Sequence, residues 1–202
     1  MIKIIIIVGQ SGSGKTTISN KLSKSLGDSF IINTDSYYRD DIIIKLLSMI
    51  TNDIYDRLIS IKKKEIIKTI GDIYSRKKST SLYNYDFERK KSSRTKKSIQ
   101  NINKIKYIII EGIFAHRLGL NYKNTINIEC KENKELCYKR RLKRDILERK
   151  RNEQEINIRF EKSWELYLNN SIKYIHSNNI EFLYPSNEIS LIKIINTIKN
   201  YK

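Results

Sequence analysis

Proline occurs once in these 202 residues and glycine only seven times, which excludes collagen-like and proline-rich disordered classes. Cysteine is nearly missing as well. Cys130 and Cys137 have no histidine or further cysteine at metal-ligand spacing, so neither a disulfide framework nor a zinc site is expected, and reduced thiols are the simple reading. The two histidines, His116 and His176, have no sequence neighbour that suggests catalysis, and a surface or partly satisfied role is expected for both. Long apolar runs are lacking: the isoleucine-rich start is seven residues long, short of a bilayer span, and no small-residue cleavage site follows it. The expectation is a cytoplasmic protein with no membrane partner, and homo-oligomer formation is left open. Acidic residues are few, 22 against 40 Lys plus Arg, for a formal charge of +18. That excess travels with Ile, Asn and Tyr, residues with AT-rich codons, and is scattered in clusters such as 62-KKK-64, 76-RKK-78 and 89-RKK-91. A solvated surface explains it better than a nucleic-acid face, since no aromatic-interleaved basic strand or helix-turn-helix pattern is present.

What is present alternates in type. Residues 2–8 form a β-branched run suited to a strand buried on both faces, and 15–26 follow with Ile18, Leu22 and Leu26 at helical spacing. Further strands are expected at 30–34, 107–110, 124–129 and 180–184, and helices at 42–50, 55–70, 132–150, 156–177 and 187–200. The polar section 81–99 reads as either a β-hairpin or a mobile flap. Trp164, Leu168 and Ile172, spaced by four, are expected in the core. Strands alternating with helices predict an α/β fold, a parallel sheet in a single domain spanning 1–202.

The stretch 9-GQSGSGKTT-17 carries the chemistry. Gly9, Gly14, Lys15 and Thr16 satisfy G-x-x-x-x-G-K-[ST] between a buried strand and an amphipathic helix, the context a P-loop requires. Backbone N–H groups of the loop (Gly9, Ser11, Gly12, Ser13, Gly14, with Thr17 beyond) and the helix N-terminus favour phosphate. Lys15 would reach the β- and γ-phosphates of ATP, and the Thr16 hydroxyl would hold Mg²⁺. A GTPase is disfavoured, because none of Gly27, Gly71, Gly112 and Gly119 has Asp three positions earlier and N-K-x-D is absent. A small phosphoryl-transfer enzyme remains.

Taken in order, 9-GQSGSGKTT-17, 35-DSYYRD-40, 83-YNYDFERKKSSR-94, 110-IEGIF-114 and 144-RDILERKR-151 resemble the uridine kinase and phosphoribulokinase group of P-loop kinases, and most of all uridine–cytidine kinases. The resemblance implies a three-layer P-loop fold with a β-hairpin over the acceptor site (insertion about 40–100) and an arginine-bearing helical lid (about 139–155). It implies ATP and Mg²⁺ as cofactors and a small-molecule hydroxyl substrate, with a pyrimidine nucleoside foremost and a sugar phosphate or pantothenate-like acceptor as the alternative.

By the same resemblance, Asp35 is the base that takes the acceptor's 5′-hydroxyl proton; capping of a helix starting at Ser36 is the structural alternative. Glu111, at a strand end before Gly112, is assigned with Thr16 to the metal. Arg144, Arg149 and Arg151 match the lid pattern R-D-x-x-E-R-G-R, with Arg141 a further candidate, and Lys150 stands where the pattern has Gly. Tyr38 and Tyr85 match acceptor-site aromatics, and Lys90 occupies the position of a base-reading His. The ribose-binding N-F-D-x-P segment survives only as Tyr55 and Asp56 within 52-NDIYD-56, with Asp53 a substitute candidate. Pro185 reads as structural.

Overall fold

The computed structural model describes residues 2–51, 54–120, 122, 124–175 and 180–200. Asp53 and His176 lie outside them. In chain order the elements are β1 (Lys3–Gly9), α1 (Lys15–Leu26), β2 (Ser29–Asn33), α2 (Ile42–Ile50), α3 (Lys63–Tyr74), β3 (Ser79–Asp86), β4 (Lys91–Ser98) and β5 (Tyr107–Glu111), followed by β6 (Thr125–Cys130), α4 (Lys134–Arg149), α5 (Glu153–Ile175), β7 (Ile180–Leu183) and α6 (Glu188–Asn200).

Five strands form a parallel sheet in the order β2-β5-β1-β6-β7, so β1 lies in the middle, paired with β5 and β6. Its unbroken run of isoleucine follows from that place. Side chains alternate across a strand: Ile4, Ile6 and Val8 enter one core with Ile66, Ile70 and Ile73 of α3, while Ile5 and Ile7 enter the other with Ile18 and Leu22 of α1 and Ile194 and Ile198 of α6. Helices cover both faces, so neither can be polar. Each fully buried isoleucine contributes roughly 2 kcal/mol. The section 81–99 resolves as an antiparallel hairpin of β3 and β4, a separate two-stranded sheet. Its turn is fixed by Asp86, whose Oδ1 accepts from the amides of Glu88 and Arg89 at 3.0 and 2.8 Å.

The expected helix over 55–70 is corrected. Short 3₁₀ turns at Ile54–Asp56 and Leu58–Ser60 precede α3, which starts only at Lys63. Backbone pairing decides this. The Arg39 amide donates to the Ser60 carbonyl at 2.7 Å, that of Lys62 donates to the Tyr37 carbonyl at 2.8 Å, and Tyr38 bridges Ile61. A chain engaged with 37–39 in this way cannot also close helical hydrogen bonds. On α5 the buried face is Ile156, Phe160, Ser163 and Tyr167. Trp164 is half-buried, tilted against Phe160, and Leu168 is exposed, so at these two positions the expected core stripe is displaced around the helix; the side chain of Ile172 lies outside those described. His116 is likewise buried, and burial pushes its imidazole pKa down to about 4. Among the described residues no helix is long and apolar enough to cross a membrane.

Lys150 ends α4 in the left-handed conformation, at φ 51°. Glycine takes this conformation without the steric cost an L side chain meets, about 1–2 kcal/mol. Lys150→Gly should therefore stabilise the fold by about 1 kcal/mol, since the Lys150–Glu88 pair it removes is solvent-exposed and contributes little. A calorimetric scan should show Tm rising by about 2–4 °C; a lower Tm would count against this account of the cap.

Candidate functional site

A cavity of about 250 Å³ opens at the C-terminal edge of the sheet, where β1, β2 and β5 end. It is the edge at which open α/β sheets bind ligands. The loop after β1 forms its floor. Gly14 caps α1 in the left-handed region at φ 89°, and Lys15, largely buried, donates from Nζ to the Gln10 carbonyl at 2.8 Å. Gly12, at φ +86°, lies so close to α4 that a Cβ would stand 2.2 Å from the Cys137 carbonyl oxygen. The loop is thus packed against the helix that carries the arginines.

Ser11, Gly12, Gly14, Lys15, Thr16 and Thr17 line the cavity, whereas Gly9 and Ser13 do not. Ser13 is fully buried, and Gly9 sits where a Cβ would meet its hydroxyl at 2.6 Å. These two shape the loop from beneath. Opposite the loop, Asp35 and Glu111 are brought together by the pairing of β2 with β5, which sets Asn33 beside Glu111. Thr16 Oγ1 donates to Glu111 Oε1 at 3.0 Å, joining the two residues assigned to the metal.

Asp35 does not cap a helix. Asn33 performs that service, its side chain accepting from the Asp35 amide at 2.8 Å at the start of a 3₁₀ turn, Thr34–Tyr37. Asp35 Oδ1 is left buried with no hydrogen-bond partner among the described residues. An orphaned carboxylate oxygen at a cavity wall is costly unless a ligand completes it, and two carboxylates near a threonine hydroxyl suit a hard divalent cation that keeps waters and phosphate oxygens as its other ligands.

Tyr38, Tyr55, Tyr85 and Phe87 form an aromatic wall, with ring centroids 5.1–6.5 Å apart. Tyr38 donates from its hydroxyl to the Tyr55 carbonyl at 2.9 Å, and burial raises the pKa of both Tyr38 and Tyr85. Lys90 lines the cavity from the hairpin turn, itself at a positive φ of 51°. Asp40 ties the hairpin down, accepting from the Ser92 amide and from Lys62, both at 3.0 Å.

Arg141, Arg144, Arg149 and Arg151 all reach the cavity. Arg144 donates to Ser11 Oγ at 3.3 Å, and the Arg149 guanidinium stacks 3.8 Å from the Phe87 ring centroid. Burial, followed by the nearby Arg144, lowers Arg149 to about 10, leaving it charged at neutral pH. Arg149 pairs with Asp145 at 3.4 Å, Arg144 turns to its neighbour Asp145 at 2.7 Å, and Glu148 is exposed. Sequence reasoning missed Arg140 and Arg159, which also line the cavity. Arg159 stands eight residues beyond the arginine motif on α5, and only the folding of α5 back across α4 brings it there. Asp56 lines the cavity too, although the segment around it fits its motif poorly. In all, eight cationic side chains face three carboxylates, an arrangement that attracts a polyanion.

Burial and then the Asp35 charge push the Glu111 carboxyl up to about 7. The sign follows from proton uptake: between about 4.5 and 7 the native state holds a proton that the unfolded chain has released, so stability falls as pH rises through that window. The cation-free protein should lose up to about 3 kcal/mol from this group across it. Glu111→Gln should flatten the slope of ΔG against pH, measured by urea unfolding at each pH; an unchanged slope would reject the assignment.

The phosphoribulokinase / uridine kinase family matches residues 4–180. A uridine kinase of Ureaplasma parvum serovar 3 is 32% identical over 154 residues, 73% of this chain and 71% of that protein. One of Staphylococcus aureus strain JH9 is 33% identical over 152 residues, 73% and 70% respectively. Among solved structures, a possible uridine kinase from Bacillus stearothermophilus superposes with a TM-score of 0.53 at 18% identity, over 83% of this chain and 82% of that one. The YGR205w protein gives 0.57 at 16%, over 92% and 86%. These superpositions bear on fold alone; the sequence matches, together with the P-loop at its strand end, make the chain a member of the phosphoribulokinase/uridine kinase family of P-loop kinases.

Proposed function

We propose that this kinase transfers the γ-phosphoryl group of ATP, with Mg²⁺, to the 5′-hydroxyl of a pyrimidine nucleoside, uridine or cytidine. The observation that carries the reading is the unpaired Asp35 Oδ1 in the cavity wall beside the Thr16–Glu111 pair. A carboxylate there can accept the acceptor's hydroxyl proton as the oxygen attacks phosphorus. Lys15 and the loop amides hold the phosphates. Thr16 and Glu111 would hold the cation, which when bound offsets charge on the phosphate oxygens. Arg144, Arg149 and Arg151 close on the triphosphate, stabilising charge that builds during transfer. Tyr38 and Tyr85 offer flat faces to a base, and Asp56 offers a carboxylate to ribose hydroxyls. The curated relatives named as uridine kinases support the nucleoside.

Lys90 and Arg159 favour a second reading, because two cations at the cavity suit an acceptor bearing its own anionic group. ADP release should be assayed against uridine, cytidine, ribulose 5-phosphate and pantothenate, with ATP and GTP as donors. Release with uridine or cytidine is the expected result. Silence with both nucleosides and turnover of an anionic acceptor would replace the first reading by the second.

A further inference from the structure

Asp145 sits within the arginine cluster and is wholly buried. Four guanidiniums converge on it. Oδ1 receives Arg144 at 2.7 Å and Arg149 at 3.4 Å, and Oδ2 receives Arg151 at 3.2 Å and Arg141 at 3.6 Å. Arg144 Nε and Arg151 donate hydrogen bonds to it, at 2.8 and 3.2 Å, while Arg141 and Arg149 stand at ion-pair distance and act through charge. Its backbone carbonyl also closes the end of α4, accepting from the amides of Lys150 and Arg151. One residue thus fixes both where the helix stops and where its arginines point.

Three of those arginines have a second engagement beyond Asp145. Arg144 reaches Ser11 in the P-loop, Arg149 stacks on Phe87 of the hairpin, and Arg141 donates to Ser163 of α5. All four line the cavity. A simple surface ion pair would be solvated and free to reorient. Here the acceptor is enclosed while the donors line the cavity. Burial alone would raise the pKa of Asp145, yet the arginines around it hold the carboxyl below its ordinary value, so it stays charged.

We propose that Asp145 is a positioning residue for phosphoryl transfer: it gathers four mutually repelling guanidiniums into one preset fan before the triphosphate arrives. It touches neither nucleotide nor acceptor. Its charge lowers the cost of assembling four cations in one place, and its geometry orients them, so less reorganisation remains when charge builds on the phosphates. The proposal rests on the reading of the cavity as a triphosphate site.

Asp145→Asn keeps the volume and removes the charge. Turnover should fall at least about tenfold, because arginines displaced by even an ångström lose alignment. The affinity for ATP–Mg²⁺ should hold within about threefold at low salt and fall more steeply with added salt than in the parent, since the unbalanced cations attract the nucleotide over a longer range. Calorimetric titration with ATP–Mg²⁺ at several salt concentrations reads this without any acceptor. Failure of every acceptor to turn over would therefore undo the functional reading, while the salt slope would still decide the role of Asp145. A purely structural role predicts a lower Tm with unchanged turnover and salt slope at a permissive temperature, and that result would overturn the proposal. Should the Asn variant fail to fold, Asp145→Glu keeps the charge and shifts the carboxylate by one methylene. Reduced turnover with parental salt dependence then supports the proposal, and parental turnover overturns it.

Discussion

Asp35→Asn should lower turnover by about 10²–10⁴-fold while ATP–Mg²⁺ binding persists. The range is that of a lost general base. The substitution is close to isosteric, and the surroundings leave it room to stay in place: the Asn33 cap grips the Asp35 amide rather than its carboxylate. Tyr37 and Tyr38, buried just beyond, anchor the turn through Thr69 and the Tyr55 carbonyl. The fold should therefore survive, and calorimetric nucleotide binding should change little. What disappears is the capacity to take a proton at Oδ1, the atom without a hydrogen-bond partner among the described residues. Turnover within about threefold of the parent would show that the hydroxyl loses its proton elsewhere, and the base assignment would fall.

Gly112→Ala should damage both activity and stability. Gly112 lies at φ +145°, where an L side chain is strained. A Cβ there would stand 1.8 Å from Thr34 Oγ1 and 3.3 Å from Asp35 Oδ1. Thr34 is fully buried and cannot swing away, so the turn bearing Asp35 must shift relative to Glu111. A displacement of about 1 Å costs about 10²-fold in rate. Stability should drop as well, by about 1–3 kcal/mol from strain and overpacking. Gly71→Ala is the internal control, with no atom within 4 Å of the added Cβ and a helical position in α3. It should stabilise by roughly 0.5–1 kcal/mol and leave turnover intact. Equal behaviour of the two variants in thermal unfolding and ADP release would refute the close-packing argument.

Both predictions depend on a contact between segments about 77 residues apart, and such contacts mark where sequence reading ends. Elements with strong local signals were legible. β1 follows from an unbroken β-branched run and α1 from spacing by four, whereas the polar section 81–99 reads equally as a hairpin or a mobile flap until the β3–β4 pairing decides it. The segment after residue 54 was not legible, because its polar and apolar residues alternate compatibly with a helix until pairing with residues 37–39 claims its backbone. The α5 stripe was misjudged for a related reason. A 23-residue helix has several apolar lines, and which one is buried depends on what packs against it.

The site divides in the same way. The phosphate loop is a local device, a glycine turn between a strand and a helix, so residues 9–17 announce it alone. The family pattern placed Asp35, Glu111 and the lid arginines near it. No spacing rule could bring in Arg159, because α5 must fold back across α4 to set it at the cavity; the arginines on Asp145 are its neighbours in sequence, and what the fold added is the burial that encloses its carboxylate. The sequence by itself determined the alternating α/β architecture and the phosphate-binding loop, since periodicity and turn chemistry act over a few neighbouring residues. Only the tertiary structure decided which charges meet in the cavity, because an ion pair or an orphaned carboxylate oxygen depends on distances between elements far apart in the chain.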